Sequence, residues 1–185
     1  MASSKKDTER IVAAYALGST FAHLPDKDQG WRDLHRLTQD KERNVRRGAA
    51  RVLGSAFAHL PDKLQGWQDL HRLTQDRESY VRWDAARSLG SAFAHLPDKL
   101  QGWQDLHRLT QDRKSYVRGG AARVLGSAFD HLPDKLQVWR DLHRLTQDQD
   151  RVVRWYSAYA LGSAFAHLLD KDQGLRDLLT LTRDQ

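Results

Sequence analysis

Residues 53–76 read LGSAFAHLPDKLQGWQDLHRLTQD, and residues 89–112 repeat them without a change. The stretches that begin at Leu17 and Leu125 depart from this text at only three positions each. Working outward, the Leu-Gly pair recurs at Leu17, Leu53, Leu89, Leu125 and Leu161, always 36 residues apart. A fixed period of this length is the signature of stacked modules, each a small supersecondary unit that buries its apolar face against its neighbours.

Within one period the text predicts two helices. Pro61 ends the preceding helix, because it disfavours helical geometry at Leu60 and has no amide hydrogen to donate. Asp62 and Gln65, three apart, read as a capping box that opens helix A, predicted over 62–74 with Trp67, Leu70, Leu73 and Thr74 on one face. The polar link 75–78 leads to helix B, predicted over 79–95, where Val81, Ala85, Leu89 and Phe93 follow i, i+4 spacing. Ala85, Ala86 and Gly90 are small enough for neighbouring helices to approach closely. Helix A tryptophans such as Trp103 are expected to be buried.

The residues Asp76, Val81, Arg82, Ala85, Ala86, Leu89 and Gly90 carry the pattern D....VR..AA..LG. This resembles HEAT repeats, in particular those of the phycobilisome-lyase type, and the resemblance covers nearly the whole chain. It implies an all-α fold, a right-handed superhelix of five 36-residue two-helix repeats forming one domain over 1–185, with helix B on the concave side. It also implies a polar ladder from repeat to repeat, joining Asp40, Asp76, Asp112, Asp148 and Asp184 with Arg10, Arg46, Arg82, Arg118 and Arg154. Glu9 in place of the valine of Val45, Leu169 in place of proline and Leu175 in place of tryptophan are expected of terminal, water-facing repeats: helix B of the first repeat caps one end and helix A the other.

What varies between copies is concentrated on helix B. Four columns hold most of it: Thr8, Asn44, Tyr80, Tyr116, Val152; Ile11, Arg47, Trp83, Gly119, Trp155; Val12, Gly48, Asp84, Gly120, Tyr156; and Tyr15, Arg51, Arg87, Arg123, Tyr159. Their spacing of i, i+3, i+4 and i+7 places them on one helix face as a stripe. All five tyrosines of the chain lie in it, and so do both tryptophans outside the fixed helix A position. A solvated helix face would favour Glu, Lys and Gln, none of which occurs there. Tyr, Trp and Arg dominate interface hot spots, which makes the stripe a candidate binding surface. Glycines 48, 119 and 120 point the same way, because each costs a helix interior about 1 kcal/mol and stacking gives no evident reason for them. The expected anchors are Tyr80, Trp83, Tyr116, Trp155, Tyr156 and Tyr159. Arg47, Arg51, Arg87 and Arg123 would be cationic contacts, Asp84 a specificity contact, and Tyr15 and Asn44 further members. A constant scaffold with one varied stripe is similar in concept to artificial helical-repeat binders of the alphaRep kind.

The expected partner is therefore a protein. Nucleic acid is the rival, since stacked arginines beside aromatic rings suit a phosphate backbone and bases. Against it stand the interrupting Asp84, the absence of lysine from the stripe and the uncharged last copy. Self-association through the aromatic stripe is a third reading. No catalysis, cofactor or metal is expected. The chain has no cysteine, and its nine histidines fall at two fixed repeat positions, whereas a catalytic group is needed once. His23, His59, His95, His131 and His167 sit near helix B C-termini, where an imidazole suits the helix dipole. Residues 1–7 lack the apolar segment of a signal peptide and no run is long enough to span a bilayer, so the reading is cytoplasmic. The net charge of +6 permits an anionic partner without demanding one.

Overall fold

A computed structural model describes residues 5–164 of the chain. Among the described residues, nine α-helices alternate between the two predicted kinds and no strand occurs: α1 (Lys5–Thr20), α2 (Lys27–Thr38), α3 (Arg43–Ala56), α4 (Lys63–Leu73), α5 (Ser79–Ala92), α6 (Lys99–Leu109), α7 (Ser115–Ser127), α8 (Lys135–Thr146) and α9 (Arg151–Ala164). The odd-numbered helices are helix B, the even-numbered ones helix A. Leu169 and Leu175 of the expected C-terminal cap, with Asp184 and His167, lie outside the described residues.

The local chemistry explains each boundary. Asp26, Asp62, Asp98 and Asp134 cap helix A, each accepting the amide hydrogen of the glutamine three residues on at 2.8–2.9 Å. Helix A therefore starts one residue later than predicted, with the aspartate outside it. Helix B is also shorter than predicted, because its last turn tightens into a 3₁₀ turn such as Phe93–His95. The residue before each proline is then extended, as Leu60 and Leu96 are with ψ of 134° and 136°. The tightened turn places Phe21, Phe57, Phe93 and Phe129 in the core.

The chain divides into two compact units, Met1–Pro97 and Asp98–Gln185. In the first, α1 packs on α3 and α3 on α5, while α2 packs on α4; in the second, α7 packs on α9 and α8 on α9. The core of each consists of the residues the repeat holds constant, among them Leu34, Leu53, Leu70 and Leu89 in the first unit and Leu106, Leu125, Leu142 and Leu161 in the second. Trp31 and Trp67 are buried, whereas Trp103 and Trp139 are only partly so. The Leu-Gly pair is explained by contact between successive B helices. A Cβ at Gly54 would lie 2.6 Å from the Cα of Ser88, and one at Gly126 would lie 2.6 Å from the Cα of Ala160. Glu9 of α1 is exposed, although its counterparts Val45, Val81, Val117 and Val153 are all buried.

Candidate binding surface on helix B

The constant polar residues are occupied with one another. Arg10 pairs with Asp40 at 2.7 Å, Arg46 with both oxygens of Asp76 at 2.6 and 3.0 Å, and Arg118 with both oxygens of Asp148 at 2.7 and 2.8 Å. Each arginine thus reaches the aspartate of the next copy. The same guanidinium of Arg46 donates to the Asp40 and Lys41 carbonyls of its own turn, and that of Arg118 to the Asp112 and Arg113 carbonyls. Each aspartate also accepts the amide hydrogen two residues on, as Asp76 does from Glu78 and Asp148 from Asp150. The Asp76 hydrogen bond raises Arg46 further above its ordinary range, against the effect of burial. Burial would raise the Asp148 carboxyl, yet the Arg118 hydrogen bonds and the Asp150 amide together hold it below its usual value.

A second network, on helix A, was not foreseen. His35 donates from Nδ1 to the buried Asp69 at 2.6 Å, and Arg72 bridges that carboxylate to the Thr38 hydroxyl at 3.0 and 2.8 Å. In the second unit His107 meets Asp141 at 2.6 Å and Arg144 reaches the Thr110 hydroxyl at 2.7 Å. The Nδ1-protonated tautomer fits both contacts of His35, donating to Asp69 and accepting from Gln39. A constant His and a constant Asp 34 residues apart were the available signal. His23, His59, His95 and His131 lie exposed at the 3₁₀ turns. Among the described residues no group of three His, Asp or Glu side chains could hold a metal ion.

The four varied columns behave differently once the framework is set aside. Those of Tyr15 and of Thr8 are largely open: Tyr15, Asn44, Arg51, Tyr80, Arg87, Arg123, Val152 and Tyr159 are exposed and Tyr116 half-buried. The two inner columns are mixed. In the first unit Asp84 is wholly buried, contrary to the expectation of a surface specificity contact. It sits where neighbouring copies have glycine, and two arginines of the preceding copy close over it, Arg47 at 2.7 Å and Arg51 at 3.7 Å. The Arg47 guanidinium lies over the Tyr80 and Trp83 rings at 5.2 and 5.9 Å, Arg51 over Tyr15 at 5.5 Å, and Arg87 over Trp83 at 5.2 Å. Seven of the expected site residues are thus one connected cluster, and Asn44 stands outside it.

In the second unit the stripe is aromatic. Trp155 meets Tyr156 edge-on at 4.9 Å and stacks on Tyr159 at 6.0 Å. Tyr156 is half-buried because its ring lies on Gly119, where a Cβ would come within 2.9 Å of it. Gly48 likewise faces Ala14 and the Tyr15 ring at 3.3 and 3.8 Å. At these two positions this corrects the expectation that stacking gives no reason for the glycine. At Gly119 the missing side chain makes room for the tyrosine of a neighbouring B helix, and at Gly48 it relieves a close approach to Ala14, the Tyr15 ring lying at ordinary contact distance. Tyr116 borders a cleft with Ser115, Arg118 and Asp150.

No helix among the described residues is long and apolar enough to cross a membrane. In fold, the chain is similar to two engineered proteins of known crystal structure. One is 22% identical over 98% of this chain and 86% of its own, with a TM-score of 0.66, and the other 19% identical over 98% and 83%, with a TM-score of 0.65. It is also similar to a designed armadillo repeat protein in complex with the peptide (KR)4, at 14% identity over 97% and 84% with a TM-score of 0.60. No curated protein matches it in sequence. The HEAT-repeat family matches residues 68–162, just over half of the chain and the span that contains three of the five Leu-Gly pairs, and the chain belongs to that family.

Proposed function

We propose that this HEAT-repeat chain is a non-catalytic recognition scaffold that binds a protein segment through the open columns of helix B. The observation that carries this reading is the exposure of large aromatic side chains on this face: Tyr15 is 42% exposed, Tyr80 55% and Tyr159 59% in the open columns, and Trp155 61% in an inner one. Elsewhere on α3, α5 and α7 the apolar residues of the repeat are buried, and the framework arginines, aspartates and helix A histidines are taken up in the two polar networks. Aromatic side chains held in water on one face, with arginines beside them, match the composition of binding hot spots. The designed armadillo protein holds a peptide on the same class of fold, which supports a peptide-like partner. Of the expected anchors, Trp155, Tyr159 and Tyr80 are the most available, while Trp83, Tyr116 and Tyr156 offer only part of their surface.

The test is selection from a displayed peptide library by the chain and by a variant carrying Tyr15→Ala, Tyr80→Ala, Trp155→Ala and Tyr159→Ala. All four positions are exposed, so the variant should keep the melting temperature of the parent. Enriched sequences that bind the parent and fail to bind the variant support the proposal. Equal retention by both proteins would place recognition elsewhere.

A further inference from the structure

We infer that the Arg–aromatic cluster of the first unit is a receptor for carboxylates of an acidic peptide, and that Asp84 is the residue that positions its arginines. The inference rests on the reading just given and narrows it to one chemistry.

The varied columns of the first unit contain three arginines, Arg47, Arg51 and Arg87, and one acid, Asp84. Because Asp84 has no exposed surface, a partner meets the guanidinium groups and not the carboxylate. One buried charge answers three cations, so the cluster keeps a positive excess that favours an anionic partner. The buried carboxylate also fixes orientation. It holds Arg47 by Nε at 2.7 Å, and the Tyr80 and Trp83 rings flank that guanidinium. Among the described residues the terminal nitrogens of Arg47 make no hydrogen bond, although the side chain is 33% exposed. Arg51, 47% exposed, leans on Tyr15 with its Nε 3.7 Å from Asp84, an ion pair without a hydrogen bond. A planar group held at Nε and on its face leaves the paired terminal N–H groups for a ligand. That is the geometry for bidentate recognition of a carboxylate, and it is already in place before binding.

Single-stranded nucleic acid fits less well. It binds by stacking bases on open aromatic faces, and Tyr15, Tyr80 and Trp83 each have a guanidinium within stacking range. The four columns also contain no lysine, the residue that serves as an unspecific point charge for phosphate.

The test is calorimetric titration of the full chain at low salt with a hexaglutamate peptide, a hexalysine peptide and an oligothymidylate. Hexaglutamate should bind, hexalysine should not, and Arg51→Gln with Arg87→Gln should weaken hexaglutamate by about tenfold or more. Asp84→Asn adds a net positive charge, yet it should weaken hexaglutamate by about threefold or more, because Arg47 is no longer held. Should Asp84→Asn fail to fold, Arg47→Lys, which keeps the charge and removes the planar fork, should weaken binding by the same factor. Tighter binding after either change would mean plain charge attraction and overturn the positioning role. Preference for oligothymidylate over hexaglutamate would overturn the carboxylate assignment. If hexaglutamate does not bind while library peptides still bind the parent and fail to bind the four-alanine variant, the carboxylate receptor falls and the recognition scaffold stands.

Discussion

Arg47 donates its Nε hydrogen to the Asp84 carboxylate at 2.7 Å, across two successive copies of helix B. The pair is unequal. Asp84 is wholly buried and its Oδ1 accepts no hydrogen bond, while Arg47 keeps a third of its side chain in water. Removing one partner of such a pair costs most when the group left behind cannot reach water. Arg47→Ala is therefore expected to destabilise the chain by about 2–4 kcal/mol, whereas Asp84→Ala should cost about 1 kcal/mol or less, since the freed arginine rehydrates. Denaturant unfolding of both single variants and the double variant checks the order. A larger loss for Asp84→Ala would contradict it.

The glycines make a sharper pair. Gly54→Ala and Gly162→Ala change the same column of helix B, and each should gain up to about 1 kcal/mol from helix propensity alone. At Gly54 the new methyl would lie 2.6 Å from the Ser88 backbone, so the two helices must separate, and a net loss of about 1–3 kcal/mol is expected. At Gly162, among the described residues, nothing lies within 4 Å of an added Cβ. That substitution should leave stability unchanged or raise it. Opposite signs in thermal melts would confirm that close helix approach, and not helix geometry, selects the Leu-Gly pair.

The fold was legible because everything that stacking requires recurs unchanged. Asp62, Pro61 and the Leu-Gly pair each state one boundary or one contact, the proline four times along the chain and the Leu-Gly pair five times. The polar ladder of Arg46 with Asp76 was expected only from the resemblance to HEAT repeats. The helix A network of His35 with Asp69 was equally regular and was missed, because its meaning lies in a contact between copies and not in the spacing within one. The stripe was legible as a set of positions but not as a surface. Its columns differ in depth, and a varied position can reflect fit between neighbours, as Gly119 under Tyr156 does, as readily as contact with a partner. Asp84 could not be placed from its own copy. What buries it is the pair of arginines in the copy before.

Acid should weaken the second unit in a way traceable to one carboxyl. Asp148 is held below its usual value in the folded chain, despite burial, by Arg118 and by the Asp150 amide. A carboxyl depressed in the folded state favours folding wherever it is also ionised in the unfolded chain, above about pH 4, and the advantage disappears as pH falls through the folded value. Asp148→Asn should cost about 2 kcal/mol at neutral pH, and the gap between parent and variant should close on acidification below about pH 4. Urea unfolding at neutral pH and at several acidic values measures it. A gap that stays constant with pH would mean that Asp148 stabilises without its charge.

Trp67 and Trp155 separate framework from surface. Trp67 is 5% exposed on helix A, and its ring lies in the core of the first unit; Trp155 is 61% exposed on helix B and touches the rings of Tyr156 and Tyr159. Trp67→Ala removes a large buried side chain that neighbours cannot replace, so a loss of about 3–5 kcal/mol is expected. Trp155→Ala forfeits two ring contacts already open to water and should cost less than about 1 kcal/mol. Binding should respond in reverse, with Trp155→Ala losing selected peptides that engage the second unit while its melting temperature stays near that of the parent. If Trp155→Ala instead unfolds the chain, the aromatic cluster of α9 is core, and the helix B columns are not a recognition surface in this unit.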